Sequence, residues 1–250
     1  HHDCHAYYAY YASPFREDGV LNFVVEGFGD DANASVSEFN NGRLSFHYRT
    51  ADCYIGRLYR YLTLVLGMKP NEHEYKVMGL APYAKKAYYQ EALQIFRSYM
   101  YVEGISFKFR QRPVDLYFHF KKELEHVRFD NIAGALQVYV EELLVQWVSN
   151  ACSMFKRNKA VLSGGVAMNI KAMGEIAKLP VIKDMSVPAT GSDESLAVGV
   201  CYCAAAQRGL SASLQPLSNA YLGNDITSQD AQTFIKENVE GKYRDRKSVV

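Results

Sequence analysis

The chain has 250 residues, 48% of them hydrophobic and 22% charged, which supplies one large folded domain or two modest ones and excludes a disordered polypeptide. Its 28 Lys and Arg nearly cancel its 27 Asp and Glu, and no block of five like charges occurs, so neither nucleic acid nor an acidic membrane is an expected partner. No apolar run reaches the roughly 18 residues of a membrane span, no basic, apolar leader opens the chain, and Cys4, Cys53, Cys152, Cys201 and Cys203 form no C-x-x-C pair; reduced thiols in a cytoplasmic protein are expected.

The chain opens on His1-His2-Asp3-Cys4-His5. On a helix His1 and His5 lie one turn apart on one face, the spacing that two ligands of one metal ion need, and neutral imidazole suits Fe(II) or Zn(II). The same residues can also be an exposed or vector-derived cluster, although the polar, Tyr-rich Ala6 to Pro14 is unlike a tag. Both readings stay open at this point. A start without Met makes residues upstream of His1 an expectation.

Val20 to Val25 reads as a buried strand and Glu26-Gly27-Phe28-Gly29-Asp30 as a tight turn, where backbone amides and a carboxylate can face a phosphate or a metal. Such Gly-rich turns are also common as plain structure. Ala34 to Phe39, the hairpin signal Asn40-Asn41-Gly42 and Arg43 to Tyr48 complete an antiparallel meander of three strands.

Cys53 to Leu66 has helical spacing and stops at Gly67. Glu72 to Tyr83 is expected to be a short helix running into an Ala-Pro turn, with no chemical role of its own, and Lys86 to Tyr101 a further helix. Val102 to Phe129 shows no clean periodicity. A long helix from Asn131 to about Phe155 is expected, with Asp130 as its N-cap.

Lys159 to Leu162 is a short strand that enters Ser163-Gly164-Gly165, with helix resuming near Ala167. Here unblocked amides can approach a nucleotide phosphate and Asn169 can bond a ribose or base; a turn that needs Gly for close packing explains the residues equally well. Val181 to Val187 is expected as a strand. Asp193 then stands before an Ala-rich, buried helix reaching about Arg208, either as its N-cap or as a metal-binding carboxylate. A boundary falls near Gly209 to Ser218, before a helix from Ser228 to Glu237.

Seven segments, in this order, resemble the O-carbamoyltransferase family that includes nodulation-factor, cephem and aminoglycoside carbamoyltransferases. They are His1-His2-x-x-His5-Ala6, Ser13-Pro14-Phe15, Glu26-Gly27-Phe28-Gly29-Asp30, Gly56-x-Leu58-Tyr59, Glu74 through Tyr83, Ser163-Gly164-Gly165-Val166-Ala167-x-Asn169, and Asp193-Glu194-Ser195-x-Ala197-x-Gly199. The match runs over about residues 1 to 223. Departures are Ala84 in place of Gly, Glu26 where Asp is frequent, and Ser195 where Gly is frequent.

The resemblance implies an α/β chain with the actin/Hsp70-like (ribonuclease H-like) ATPase fold of the tRNA threonylcarbamoyl-transfer proteins, incomplete at its N-terminus. Residues 1–210 would be this carbamoyl-transfer domain, and 211–250 a linker and the start of a truncated adenylate-forming domain. The family's first strands and an early His-Asp motif would lie roughly a hundred residues upstream. The implied chemistry takes carbamoyl phosphate and ATP to carbamoyl-adenylate and passes the carbamoyl group to a hydroxyl of a sugar-like or natural-product acceptor. The truncated chain is not expected to make the adenylate alone.

The same resemblance implies His1, His5 and Asp193 as ligands of a divalent metal, Fe(II) above others. Ser163, Gly164, Gly165, Asn169, Gly27 and Gly29 would lie on ATP or the adenylate, and Asp30 and His2 would be catalytic. A homodimer is compatible with it. Two rival classes share the fold: an actin-like ATPase or sugar kinase, which needs no His pair, and a non-catalytic interaction domain.

Overall fold

The structure, a computed structural model, describes residues 1–220, 223 and 226–238. It separates into two compact units, His1–Leu217 and Ser218–Val250. In the first, helix α1 (His2–Ala12) precedes the strands β1 (Leu21–Gly29), β2 (Ala32–Asn40) and β3 (Arg43–Thr50). Helices α2 (Ile55–Val65), α3 (Glu74–Leu80) and α4 (Gln90–Arg97) follow, then the hairpin of β4 (Met100–Glu103) and β5 (Ser106–Phe109). Helices α5 (Leu116–Glu123) and α6 (Phe129–Phe155), strand β6 (Lys159–Ser163), α7 (Ile170–Ala177), β7 (Asp184–Ser186) and α8 (Leu196–Gln207) complete the unit. The second unit contains α9 (Ser228–Asn238). Tyr221 and Leu222, within the expected lead into the next domain, lie outside the described residues.

The main sheet has the order β3-β2-β1-β6-β7. The meander β1-β2-β3 is antiparallel, whereas β6 pairs with β1 and β7 with β6 in parallel. The fold class is therefore α/β with a mixed sheet.

Strand alternation decides what each face carries. Leu21, Phe23 and Val25 of β1, Ala34 and Val36 of β2 and Leu162 of β6 join the large core under α2 and α6, where Phe23 meets the fully buried Trp147 edge to face at 5.1 Å between ring centroids. Asn22 and Glu26 of β1, Ser35 of β2 and Ser163 of β6 have the opposite parity and meet α1: Asn22 Nδ2 donates to the Ala6 carbonyl at 2.7 Å and Ser163 Oγ to the His5 carbonyl at 3.0 Å. The tyrosines of α1 pack there against Phe39, Val161 and Tyr202. Buried polar residues on this face of the sheet thus fix the seat of the histidine helix.

Several expected elements differ. Glu26 to Gly29 continues β1, and the turn falls on Asp30 and Asp31, both left-handed at φ 50° and 58°. Only Gln90–Arg97 of the segment from Lys86 to Tyr101 is helical. Its end enters a hairpin because Met100, Val102 and Phe107 bury an alternating face against the core. Helix α6 begins one residue before Asp130, with Arg128 at the cap position; the Asp130 carboxylate accepts from the neighbouring Asn131 N–H and pairs with Arg128 inside the first turn. Strand β7 keeps only Asp184–Ser186. Helix α8 is not the buried helix its composition implies: Gly199 and Tyr202 are buried, whereas Cys201 is exposed.

Candidate metal centre

The first turn of α1, the end of β1 and the loop after β7 converge on one point. His1 and His5 bring their rings to 4.9 Å between centroids, as one helical turn predicts. Gly29 makes room for this, since a Cβ there would stand 2.5 Å from the His1 ring. Asp193 opens a short 3-10 turn, with Ser192 at its cap position, that leads into α8; Ser195 stands at the cap position of α8, so Asp193 is not its cap. Its exposed carboxylate lies 3.3 Å from His1 Nε2 and 3.5 Å from His5 Nε2.

A fourth donor comes from Glu26, which is 3% exposed at the end of an apolar strand. Its Oε2 lies 2.5 Å from His1 Nε2 and 3.2 Å from His5 Nε2, while Oε1 lies 2.7 Å from His2 Nε2. One donor atom each of His1, His5, Glu26 and Asp193 falls within 4.8 Å of the others. Burial alone would raise the Glu26 carboxyl, but the contacts with His2 and His5 outweigh it and hold its pKa below the ordinary carboxylate value. The signal in the sequence was a lone carboxylate closing the buried run Val24-Val25-Glu26.

The group fits a divalent ion. Donors bound at about 2.1 Å to one ion stand about 3 to 3.5 Å apart when adjacent, and three of the four distances from His1 or His5 to the two carboxylates lie between 3.2 and 3.5 Å. His5 Nε2, fully buried, has no aligned hydrogen-bond partner, and neither do His2 Nε2 and Glu26 Oε1, although those two atoms are close. Orphaned buried polar atoms cost free energy unless something completes them. Two imidazoles with two carboxylates suit a borderline ion such as Fe(II), Mn(II) or Zn(II).

The other expected site residues take distinct places. His2 is fully buried behind Glu26, with Nδ1 3.1 Å from Ser35 Oγ, away from any open space. Asp30 is exposed beyond the cluster, its carboxylate against the backbone nitrogen of His1 and its carbonyl accepting from Arg49. A cavity of about 790 Å³ adjoins the cluster and is lined by Glu26, Gly27, Arg57, Gly165, Asn169 and Asp193 among others.

Gly164, at φ +90°, packs so closely that a Cβ would lie 2.2 Å from the Val25 carbonyl oxygen, and its N–H is taken by the Gly191 carbonyl at 2.7 Å. Gly165–Met168, which includes Ala167, forms a 3-10 turn, and the α-helix α7 begins after it at Ile170 with Asn169 as its N-cap. Asn169 Oδ1 caps α7 by accepting from Ala172 N–H, and it also accepts from Gln137 Nε2; Asn169 Nδ2 donates to the Tyr59 hydroxyl at 2.9 Å. Both polar atoms of Asn169 are thus engaged inside the protein.

The sequence model described as carbamoyltransferase N-terminus matches residues 1–202. An uncharacterized protein of Synechocystis sp. is 26% identical over 94% of this chain and 41% of its own length. The nodulation protein NolNO of Sinorhizobium fredii is 24% identical over 92% of this chain and 34% of its own, and NolO of Bradyrhizobium diazoefficiens 23% over 92% and 42%. The chain spans less than half the length of each of these relatives. With most of its residues matched, the chain belongs to the carbamoyltransferase N-terminus family.

Proposed function

We propose that this chain is the carbamoyl-transferring part of an O-carbamoyltransferase, built on an actin/Hsp70-like fold that residues 211–250 connect to an adenylate-forming domain. The observation that carries the reading is the convergence of His1, His5, Glu26 and Asp193 beside a cavity large enough for a nucleotide-linked donor. An antiparallel meander flanked by two parallel strands is consistent with the fold.

In this reading His1, His5, Glu26 and Asp193 hold a divalent metal, Fe(II) above others. When bound, such an ion supplies Lewis acidity toward an oxygen of the substrate. Gly27 and Gly165 present bare backbone along the cavity, where the adenylate made from carbamoyl phosphate and ATP would lie, and Gly29 seats His1. Ser163 and Gly164 act on the donor indirectly, by holding α1 and the turn in place, and Asn169 by capping α7 at the cavity wall. His2 positions Glu26 from behind; Asp30 stands at the rim, where an acceptor would enter.

The acceptor oxygen forms a bond to the carbamoyl carbon, and the bond from that carbon to the phosphate oxygen breaks. AMP leaves with the electron pair, and the hydroxyl proton passes to water. The test is incubation of metal-reconstituted protein with carbamoyl-adenylate and a panel of hydroxylated acceptors, following carbamoylated product by mass spectrometry. Product formation that is lost in His5→Ala supports the reading. Protein that takes up no Fe, Mn or Zn and carbamoylates nothing overturns it, and ATP-driven phosphorylation of an acceptor would point to a kinase instead.

A further inference from the structure

The cavity beside the metal cluster has a second, cationic wall. Arg57 and Arg60 of α2 both line it, one helical turn apart. Like charges at this spacing repel, and neither arginine has an oxygen partner among the described residues. The neighbouring carboxylates are engaged: Glu26 and Asp193 by the imidazoles, Asp52 by Arg112 at 3.3 Å and Glu74 by the Asn71 N–H at 2.6 Å.

The Arg57 guanidinium is nonetheless held in place. Its central carbon lies 4.7 Å from the Tyr54 ring centroid and 4.9 Å from that of Phe28. Tyr54 is fixed in turn by an edge-to-face contact with Phe109 at 5.1 Å and by a hydrogen bond from Arg112 to its hydroxyl at 3.1 Å. Phe28, half exposed on β1, has a reason to be there as one side of this clamp. Gly56 sets the distance to the cluster: a Cβ there would lie 2.7 Å from the Glu26 carbonyl oxygen and 2.8 Å from Gly27 Cα, so the first turn of α2 rests on the strand that carries Glu26.

A guanidinium clamped by aromatic rings, with five N–H donors and no acceptor, is preorganised for a tetrahedral or planar oxyanion. We propose that Arg57, assisted by Arg60, forms the subsite for the phosphoryl group of the donor, placing that group on the α2 wall and the carbonyl it carries toward His1, His5 and Asp193. The identity of the donor rests on the carbamoyl-transfer reading; the anion subsite rests on the geometry of α2 and its rings.

The test is calorimetric titration of the full chain with inorganic phosphate, AMP and carbamoyl phosphate, with metal content measured in parallel. Arg57→Gln is expected to weaken the anion that binds at least about tenfold, Arg60→Gln to weaken it less, and Phe28→Leu to weaken it while leaving both cations in place. Metal uptake and the thermal midpoint stay at parental values. Tighter binding of AMP than of inorganic phosphate identifies a nucleotide donor, and tighter binding of carbamoyl phosphate a free one.

The proposal is overturned if the parent chain binds none of the three probes, or if both Gln variants bind them as the parent does. Anion binding that depends on Arg57 in a protein without metal uptake upholds the subsite and sinks the carbamoyl-transfer centre. Metal uptake with anion affinity indifferent to Arg57 does the reverse.

Discussion

Gly199 of α8 rests on the backbone of Cys4 in α1, so closely that a Cβ would stand 2.2 Å from the Cys4 carbonyl oxygen. The two helices carry, or directly follow, the residues of opposite sides of the centre, His1 and His5 on one and Asp193 on the other. Gly199→Ala must push them apart. A loss of about 1 to 3 kcal/mol is expected in urea denaturation, as for overpacking elsewhere, together with weaker metal binding. Parental values of both would show that the contact does not set the site.

Glu26 touches the imidazoles of His1, His2 and His5. Glu26→Gln keeps the shape and removes the charge, and it is expected to weaken metal binding about 10- to 100-fold in competition with a chromophoric chelator. Asp30→Asn, outside the four-donor group, serves as the comparison and should change it little. Equal effects of the two substitutions would remove Glu26 from the ligand set.

Tyr59, Gln137 and Asn169 form a buried network, with the Tyr59 hydroxyl donating to Gln137 Oε1 at 2.8 Å and Gln137 Nε2 also donating to Glu141 Oε1 at 2.7 Å. Asn169→Ala removes the cap of α7 and the N–H donor to Tyr59, while Tyr59 and Gln137 stay bonded to each other, so a loss of about 1 to 3 kcal/mol is expected. Tyr59→Phe should cost about 1 kcal/mol, because Gln137 Oε1 still accepts from Asn169. Chemical denaturation midpoints of the two variants give the comparison.

The thiols should react in an order set by burial. Cys201 is exposed, whereas Cys53 and Cys152 are buried, and burial pushes the Cys152 thiol up to about 11 and that of Cys53 higher still. A thiol-specific chromophore is expected to modify Cys201 first in native protein and to reach Cys53 and Cys152 only on unfolding. Early labelling of Cys53, located by peptide mapping, would contradict the packing around it.

Glu17 pairs with Lys159, and that hydrogen bond holds its carboxyl down at about 2, below the ordinary 4.5. A depressed folded-state value stabilises the protein above the unfolded value and is lost as pH falls from about 4.5 toward 2. The pair is exposed, so the effect is small and screened by salt. Glu17→Gln should be slightly less stable than the parent at pH 6, and the gap in denaturation midpoint should narrow through that acid window. A gap independent of pH would exclude the ion pair as its cause.

How much could be read in advance depended on whether a signal was local. The apolar run Val20 to Val25, the Asn41-Gly42 turn and the long stripe from Ile132 to Trp147 announce the meander and α6, because periodicity and turn chemistry are properties of a few consecutive residues. The hairpin Met100–Phe109 was hidden, since Met100 and Tyr101 prolong the helical reading of α4, the residues after them show no clean periodicity, and only the core beneath selects strand.

The same division holds at the centre. Sequence by itself determined that His1 and His5 share a helix face, that Ser163-Gly164-Gly165 is a strand-ending turn, and which family the ordered motifs resemble. Tertiary structure alone decided that Glu26 joins the histidines, that Asn169 turns inward to cap α7, and that Arg57 is clamped between Tyr54 and Phe28. These are contacts between residues far apart in the chain, made only when strand parity and helix packing bring their side chains to one place.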